Sequence, residues 1–187
     1  MALTYSTNML APGTPAPAFE LPGVDGRTWR LQDFEGARAL VVVFTCNHCP
    51  YAQAAEERLI AIQRDYEPKG VRLVAINPND ASRYPEDDFE HMKRRAAEKG
   101  YNFPYLRDET QEVARAYRAA CTPDVYVFDG QQRLVCQSRI DDNWQHPEKV
   151  TRQDLRLVLD AVLAGQPLPF DPVPSMGCSI KWKGEGL

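Results

Sequence analysis

Two thiols separated by two residues, Cys46 and Cys49 in the stretch "VVVFTCNHCPYAQ", are the residues of this chain best suited to chemistry. Such a pair can form and break a disulfide, hold a soft metal ion, or fill space at a helix start. A disulfide exchanger needs one thiol that ionises readily and a second that closes on it. A structural zinc site needs four ligands, commonly from two spaced pairs. The sequence has no second Cys-x-x-Cys and no matching His pair. Metal binding therefore reduces to a copper- or zinc-carrying alternative through Cys46, His48 and Cys49. Redox exchange is the reading that the spacing supports best.

The pair sits where an apolar run ends and a helical pattern begins. Unpaired N–H groups and the positive end of the helix dipole favour a thiolate there. Cys46 is accordingly the expected attacking thiol, and Cys49, one turn on, the expected resolving one. His48, when protonated, would add to the stabilisation of the thiolate and make the disulfide more oxidising. Pro123 precedes a second apolar stretch, "VYVFD", where a central strand would accommodate it poorly. A cis Thr122–Pro123 bond in a tight turn and an ordinary trans proline opening a strand are both open. Cys136 falls within a strand pattern and reads as core. Cys178 lies in a Pro/Gly-rich tail, either structural or able to resolve a sulfenate on Cys46.

These residues must be positioned by the elements around them. Residues 39–45, "ALVVVFT", form a β-branched run that reads as a strand covered on both faces. Residues 49–66 read as a helix carrying Ala55, Leu59, Ile62 and Tyr66 on one face, stopped by Pro68 and Gly70. Residues 71–77, "VRLVAIN", form a second buried strand, so the three make a βαβ unit with parallel strands. A helix over 86–99, a short piece at 103–108 and a helix over 110–120 follow. Strands at 125–129 and 133–140 are joined by the turn residues "DGQQ" as an antiparallel hairpin. A helix over 152–165 ends at Gly165, and 166–187 reads as an extended tail. This order predicts an α/β sandwich with a mixed central sheet flanked by helices. The chemistry is expected at the carboxyl end of the first βαβ strand.

The combination "GTPAPAFELPGVDG", "ALVVVFTCNHCP", "GVRLVAIN", "YLRDETQEVARAY" and "CTPDVYVFD" resembles the thioredoxin-like proteins of the redoxin and peroxiredoxin-like branch. The likeness spans 13–165, leaving 1–12 as an N-terminal extension and 166–187 as a tail packed on the domain. It implies a thioredoxin-like fold with a cis Thr122–Pro123 bond facing the Cys46–Cys49 pair, and Thr122 and Pro123 as the substrate-docking residues. It also sets Cys121 close enough to Cys46 to modulate it, with a small buried residue as the alternative. Peroxiredoxins carry Pro and Thr or Ser at the places held here by Ala39 and Val43, and Thr45 is adjacent to Cys46 rather than properly spaced. Related reductases often carry Glu where this chain has Ala52. The resemblance therefore implies a thiol–disulfide oxidoreductase, with a hydroperoxide-reducing peroxidase at Cys46 as the alternative.

Composition sets the remaining bounds. The 187 residues suit one domain, and 43 % hydrophobic with 26 % charged residues is ordinary for a globular chain. A net charge of −4 argues against a nucleic-acid partner, since Lys93, Arg94 and Arg95 form only a short solvated helix face. No apolar run reaches the roughly 20 residues needed to span a bilayer, and no secretory leader is visible, so the expected location is cytoplasmic. Five cysteines there point to redox or metal chemistry rather than a disulfide framework. The expected partners are a disulfide-containing protein or small thiol substrate and a thiol reductant or reductase. No cofactor and no membrane are expected, and the sequence leaves the oligomeric state open.

Overall fold

The computed structural model describes residues 3–185. In chain order its strands are β1 (Leu3–Tyr5), β2 (Glu20–Pro22), β3 (Thr28–Arg30), β4 (Ala39–Phe44), β5 (Val71–Asn77), β6 (Tyr105–Arg107), β7 (Cys121–Thr122), β8 (Asp124–Asp129), β9 (Leu134–Gln137) and β10 (Met176–Ser179). The α-helices are α1 (Pro50–Tyr66), α2 (Phe89–Lys99), α3 (Glu112–Ala116) and α4 (Asp154–Ala164).

The apolar run at 39–44 becomes the middle strand of a five-stranded sheet ordered β6-β5-β4-β8-β9. β4 pairs parallel with β5, with Val42 opposite Val74, and antiparallel with β8, with Val42 opposite Tyr126. Both faces of β4 are covered because its side chains alternate between two cores. Ala39, Val41 and Val43 pack with Ala55, Leu59 and Ile62 of α1, Met92 of α2, and Leu155, Val158 and Leu159 of α4. Leu40, Val42 and Phe44 pack with Trp29, Phe34, Tyr117 and Tyr126 on the other side. Phe44 meets Tyr117 and Tyr126 edge-on at 5.3 and 5.7 Å between ring centres. That geometry suits the ring quadrupoles.

Three expectations change in detail. The helix expected over 110–120 is reduced to Glu112–Ala116. Gln111 and Arg118 at its two ends adopt left-handed backbone, at φ 65 and 55, and the Gln111 amide is spent on the carbonyls of Pro78 and Lys181. The strand expected over 133–140 stops at Gln137, and its pairing with β8 slips between Val127 and Phe128. The tail is not merely extended. Its β10 is the middle strand of a second sheet, ordered β1-β10-β7, and is antiparallel to both neighbours. Among the described residues, no helix is long and apolar enough to cross a membrane.

Candidate active site

The carboxyl end of β4 delivers Cys46. The Thr45 N–H still bonds the Ile76 carbonyl at 2.9 Å, so the chain leaves the sheet only at the cysteine. Pro50 occupies the first helical position of α1 and Cys49 is its N-cap. Proline suits that position because its fixed φ is helical and its missing N–H would be unpaired anyway. This corrects the sequence expectation: the positive end of the helix falls on Cys49, and Cys46 lies outside the helix. Both sulfurs are enclosed, with the residues 1 % and 0 % exposed.

Thr122 closes one side of the pair. Its hydroxyl lies 3.3 Å from Cys46 Sγ, and its carbonyl accepts from Cys49 Sγ at 3.2 Å. The Thr122–Pro123 bond is cis. The expected groove along β7 is already filled, since β10 pairs with it, Cys178 opposite Thr122 and Ser179 opposite Cys121. Cys46, Cys49, Ala52 and Cys178 form one buried cluster with Tyr51 against it. Cys121 is outside that cluster; its thiol turns to the Pro123 carbonyl at 3.5 Å. Cys136 is part of the main core, where burial pushes its thiol up to about 12.

Asp87 closes the other side, and nothing in its polar loop announced it. Its carboxylate accepts from the Asn47 N–H at 2.6 Å, from Asn77 at 3.3 Å and from Asn79 at 2.9 Å, and it pairs with His48 Nδ1 at 2.5 Å. The His48 ring stacks on Tyr84 at 4.8 Å. Among the described residues, no hydrogen-bond partner meets its buried Nε2. Tyr105 and Gln53 hold Asn47 through its side-chain and backbone oxygens. The segment between the cysteines is thus fixed by residues of β5, β6, α1 and the 80s loop. Among the described residues, the atoms that converge as possible metal ligands belong to Cys46, His48 and Asp87, all within 4.8 Å of one another. Cys49, in the set of the alternative metal-carrying reading, is absent from this group.

The electrostatics divide the two thiols. Hydrogen bonding with Cys46, with Cys178 and with the Ala52 backbone lowers the Cys49 thiol to about 5 despite its burial. Burial, the hydrogen bond given to Cys49 and the neighbouring Asp87 charge push Cys46 well up. Burial would raise Asp87 too, but the bonds from His48, Asn79 and Asn47 outweigh it and keep the carboxylate below its ordinary range. Burial and the Asp87 charge thus oppose ionisation at Cys46, while the hydrogen bonds around Cys49 favour it there.

A family model described as AhpC/TSA matches residues 12–136. The chain belongs to the AhpC/TSA family. A Mycobacterium tuberculosis protein named "Putative peroxiredoxin" is 31 % identical over 122 residues, covering 64 % of this chain and 71 % of that one. "Thiol-disulfide oxidoreductase ResA" of Geobacillus thermodenitrificans is 26 % identical over 120 residues, 64 % of each chain. The crystal structure of an uncharacterized conserved protein from Geobacillus kaustophilus aligns with a TM-score of 0.93 at 48 % identity, over 100 % of this chain and 99 % of that one. The architecture is thioredoxin-like.

Within this AhpC/TSA chain the departures at Ala39 and Val43 have a structural counterpart. Both side chains are buried against the core on β4, and a hydroxyl at 3.3 Å from Cys46 Sγ comes instead from Thr122. Ala52 offers its backbone N–H to the Cys49 sulfur rather than a carboxylate.

Proposed function

We propose that this protein is a thiol–disulfide oxidoreductase working through Cys46 and Cys49. The observation that carries the reading is the enclosed Cys46–Cys49 dithiol set against the hydroxyl and carbonyl of Thr122. The Cys49 thiolate attacks one sulfur of an external disulfide, forming a mixed disulfide and releasing the other half as a thiolate, which takes up the Cys46 proton. The Cys46 sulfur then attacks Cys49, closing the internal disulfide and releasing the second half as a thiolate. Two electrons have passed to the substrate, and a thiol reductant or reductase returns them. This assigns attack to Cys49 and resolution to Cys46. His48, fixed by Asp87 and Tyr84, stands beside Cys46 as a modulating group. Thr122 and Pro123 form the wall against which the substrate disulfide would dock, and Cys121 lies behind that wall.

One observation favours the peroxidase reading: the Thr122 hydroxyl at 3.3 Å from Cys46 Sγ supplies the donor missing at Val43. Parallel assays of small-disulfide reduction and hydroperoxide consumption separate the readings, using wild type, Cys46→Ser and Cys49→Ser. Loss of disulfide reduction in both variants, with slow peroxide turnover throughout, supports the oxidoreductase. Fast peroxide turnover that survives Cys49→Ser overturns it in favour of the peroxidase.

A further inference from the structure

The tail strand β10 occupies a seat that the rest of the molecule is built to hold. Val125 N–H donates to Ser175 Oγ, and Ser175 Oγ donates to the Ser138 carbonyl. Beyond β10, Asn79 Oδ1 accepts from Lys181 N–H, the Gln111 amide bonds the Lys181 carbonyl, and Lys183 N–H bonds Gln111. Between these anchors the strand comes so close to β7 that a Cβ on Gly177 would stand 2.1 Å from the Thr122 carbonyl oxygen and 2.7 Å from its carbon. Only glycine tolerates such an approach, because the obstacle is backbone. This contact sets the next residue, Cys178, against the pair. It shares one enclosed cluster with Cys46 and Cys49, its hydrogen bonding lowers the Cys49 thiol, and the residue is 2 % exposed.

We propose that Cys178 is a third redox thiol of this centre, exchanging with the Cys46–Cys49 disulfide to give Cys49–Cys178. The proposal rests on the oxidoreductase reading. In the exchange, Cys178 loses its proton and attacks the Cys49 sulfur. The Cys46–Cys49 bond breaks, and Cys46 leaves as a thiolate that takes up that proton. One disulfide is present before and after, so no external oxidant is needed for this step. The oxidising equivalent moves onto the tail, and Cys46 is released as a thiol. With β10 seated, the hydrogen-bonding edge of Cys121 and Thr122 is taken by the chain itself. The centre in this state accepts small disulfides, and an extended peptide must first displace the tail.

The test uses glutathione disulfide as oxidant, acid quenching, alkylation and mapping of disulfide-linked peptides by mass spectrometry. Cys46→Ala leaves Cys49 to form a glutathione adduct, which Cys178 should displace with release of glutathione. Cys49–Cys178 should then exceed the adduct by about tenfold or more, as expected for a neighbouring thiol competing with millimolar external thiol. Gly177→Ala, which drives β10 off β7, should lower the Cys49–Cys178 yield at least severalfold while Cys46–Cys49 still forms. A Cys46→Ala protein that keeps a stable glutathione adduct on Cys49 with Cys178 as free thiol overturns the inference. Formation of Cys46–Cys49 in wild type under that outcome leaves the oxidoreductase reading intact. Failure of wild type to form either Cys46–Cys49 or Cys49–Cys178 removes that reading, and the inference with it. If Cys46→Ala does not fold, wild type decides: Cys49–Cys178 among its products supports the exchange, and its complete absence refutes it.

Discussion

Replacing Cys46 by Ala should make the thiolate of Cys49 harder to form, by an amount the structure allows to be worked out. The Cys49 thiol lies at about 5 against an ordinary 9.0. A displacement of that size is about 5 kcal/mol in favour of the charged form. The Cys46 S–H is the largest contributor, and a hydrogen bond to a charged group is worth about 1.5–3 kcal/mol. Its loss in Cys46→Ala should move the titration up to about 6–7, since each pH unit is 1.36 kcal/mol. Cys46→Ser keeps a hydroxyl donor at the same place and should move it much less. The assay is the ultraviolet absorbance of the thiolate against pH, paired with the pH dependence of alkylation. Reduced wild type should show one thiolate forming near pH 5, and Cys49→Ser should abolish it. A low-pH thiolate that persists in Cys49→Ser and vanishes in Cys46→Ser would refute the reasoning and return the acidic sulfur to Cys46.

Further outcomes are expected elsewhere in the fold. Asp87→Ala removes the partner of His48 and strips the acceptor from Asn47, Asn77 and Asn79; leaving buried donors unpaired should cost about 3 kcal/mol in urea denaturation, and a loss under 1 kcal/mol would contradict the hub. Asp124 is fully buried, and burial pushes its carboxyl up to about 6 from 3.8. The folded state therefore binds this proton more tightly, so its contribution is complete below about pH 4 and is lost as pH rises through about 6. That loss is about 3 kcal/mol, and Asp124→Asn should raise the melting temperature at pH 8 but not at pH 4; equal effects at both would exclude the linkage. Phe44→Ala, emptying a side chain with 0 % exposure, should cost about 3–5 kcal/mol in the same denaturation measurement, and a small change would mean that the aromatic cluster of Tyr117 and Tyr126 can collapse onto the gap.

How far the chain could be read in advance depended on the range of the interactions involved. The middle strand at 39–44, helix α1 and strand 71–77 follow from local periodicity, because a β-branched run buries both faces and Ala55, Leu59 and Ile62 share one helical face. The cysteine spacing and Pro50 fixed a dithiol at a strand-to-helix junction. Which thiol receives the helix end was a finer matter: Pro50 takes the first helical position, so the positive end falls on the second cysteine rather than the first. Asp87 was invisible in a polar loop, since one loop acid looks like another until Asn47, His48, Asn77 and Asn79 converge on it. Cys178 stood out only as a tail thiol able to resolve a sulfenate on Cys46, and its seat beside Cys49 could not be read. A short, Pro-flanked tail carries no periodic signal, and its place follows from hydrogen bonds to β1 and β7, strands far from it in the chain. The sequence by itself determined the spacing of the Cys46–Cys49 pair and the strand and helix that hold it. Only the tertiary structure decided which groups surround the two thiols and which third sulfur lies beside them, because both arise from burial and from partners that local sequence does not encode.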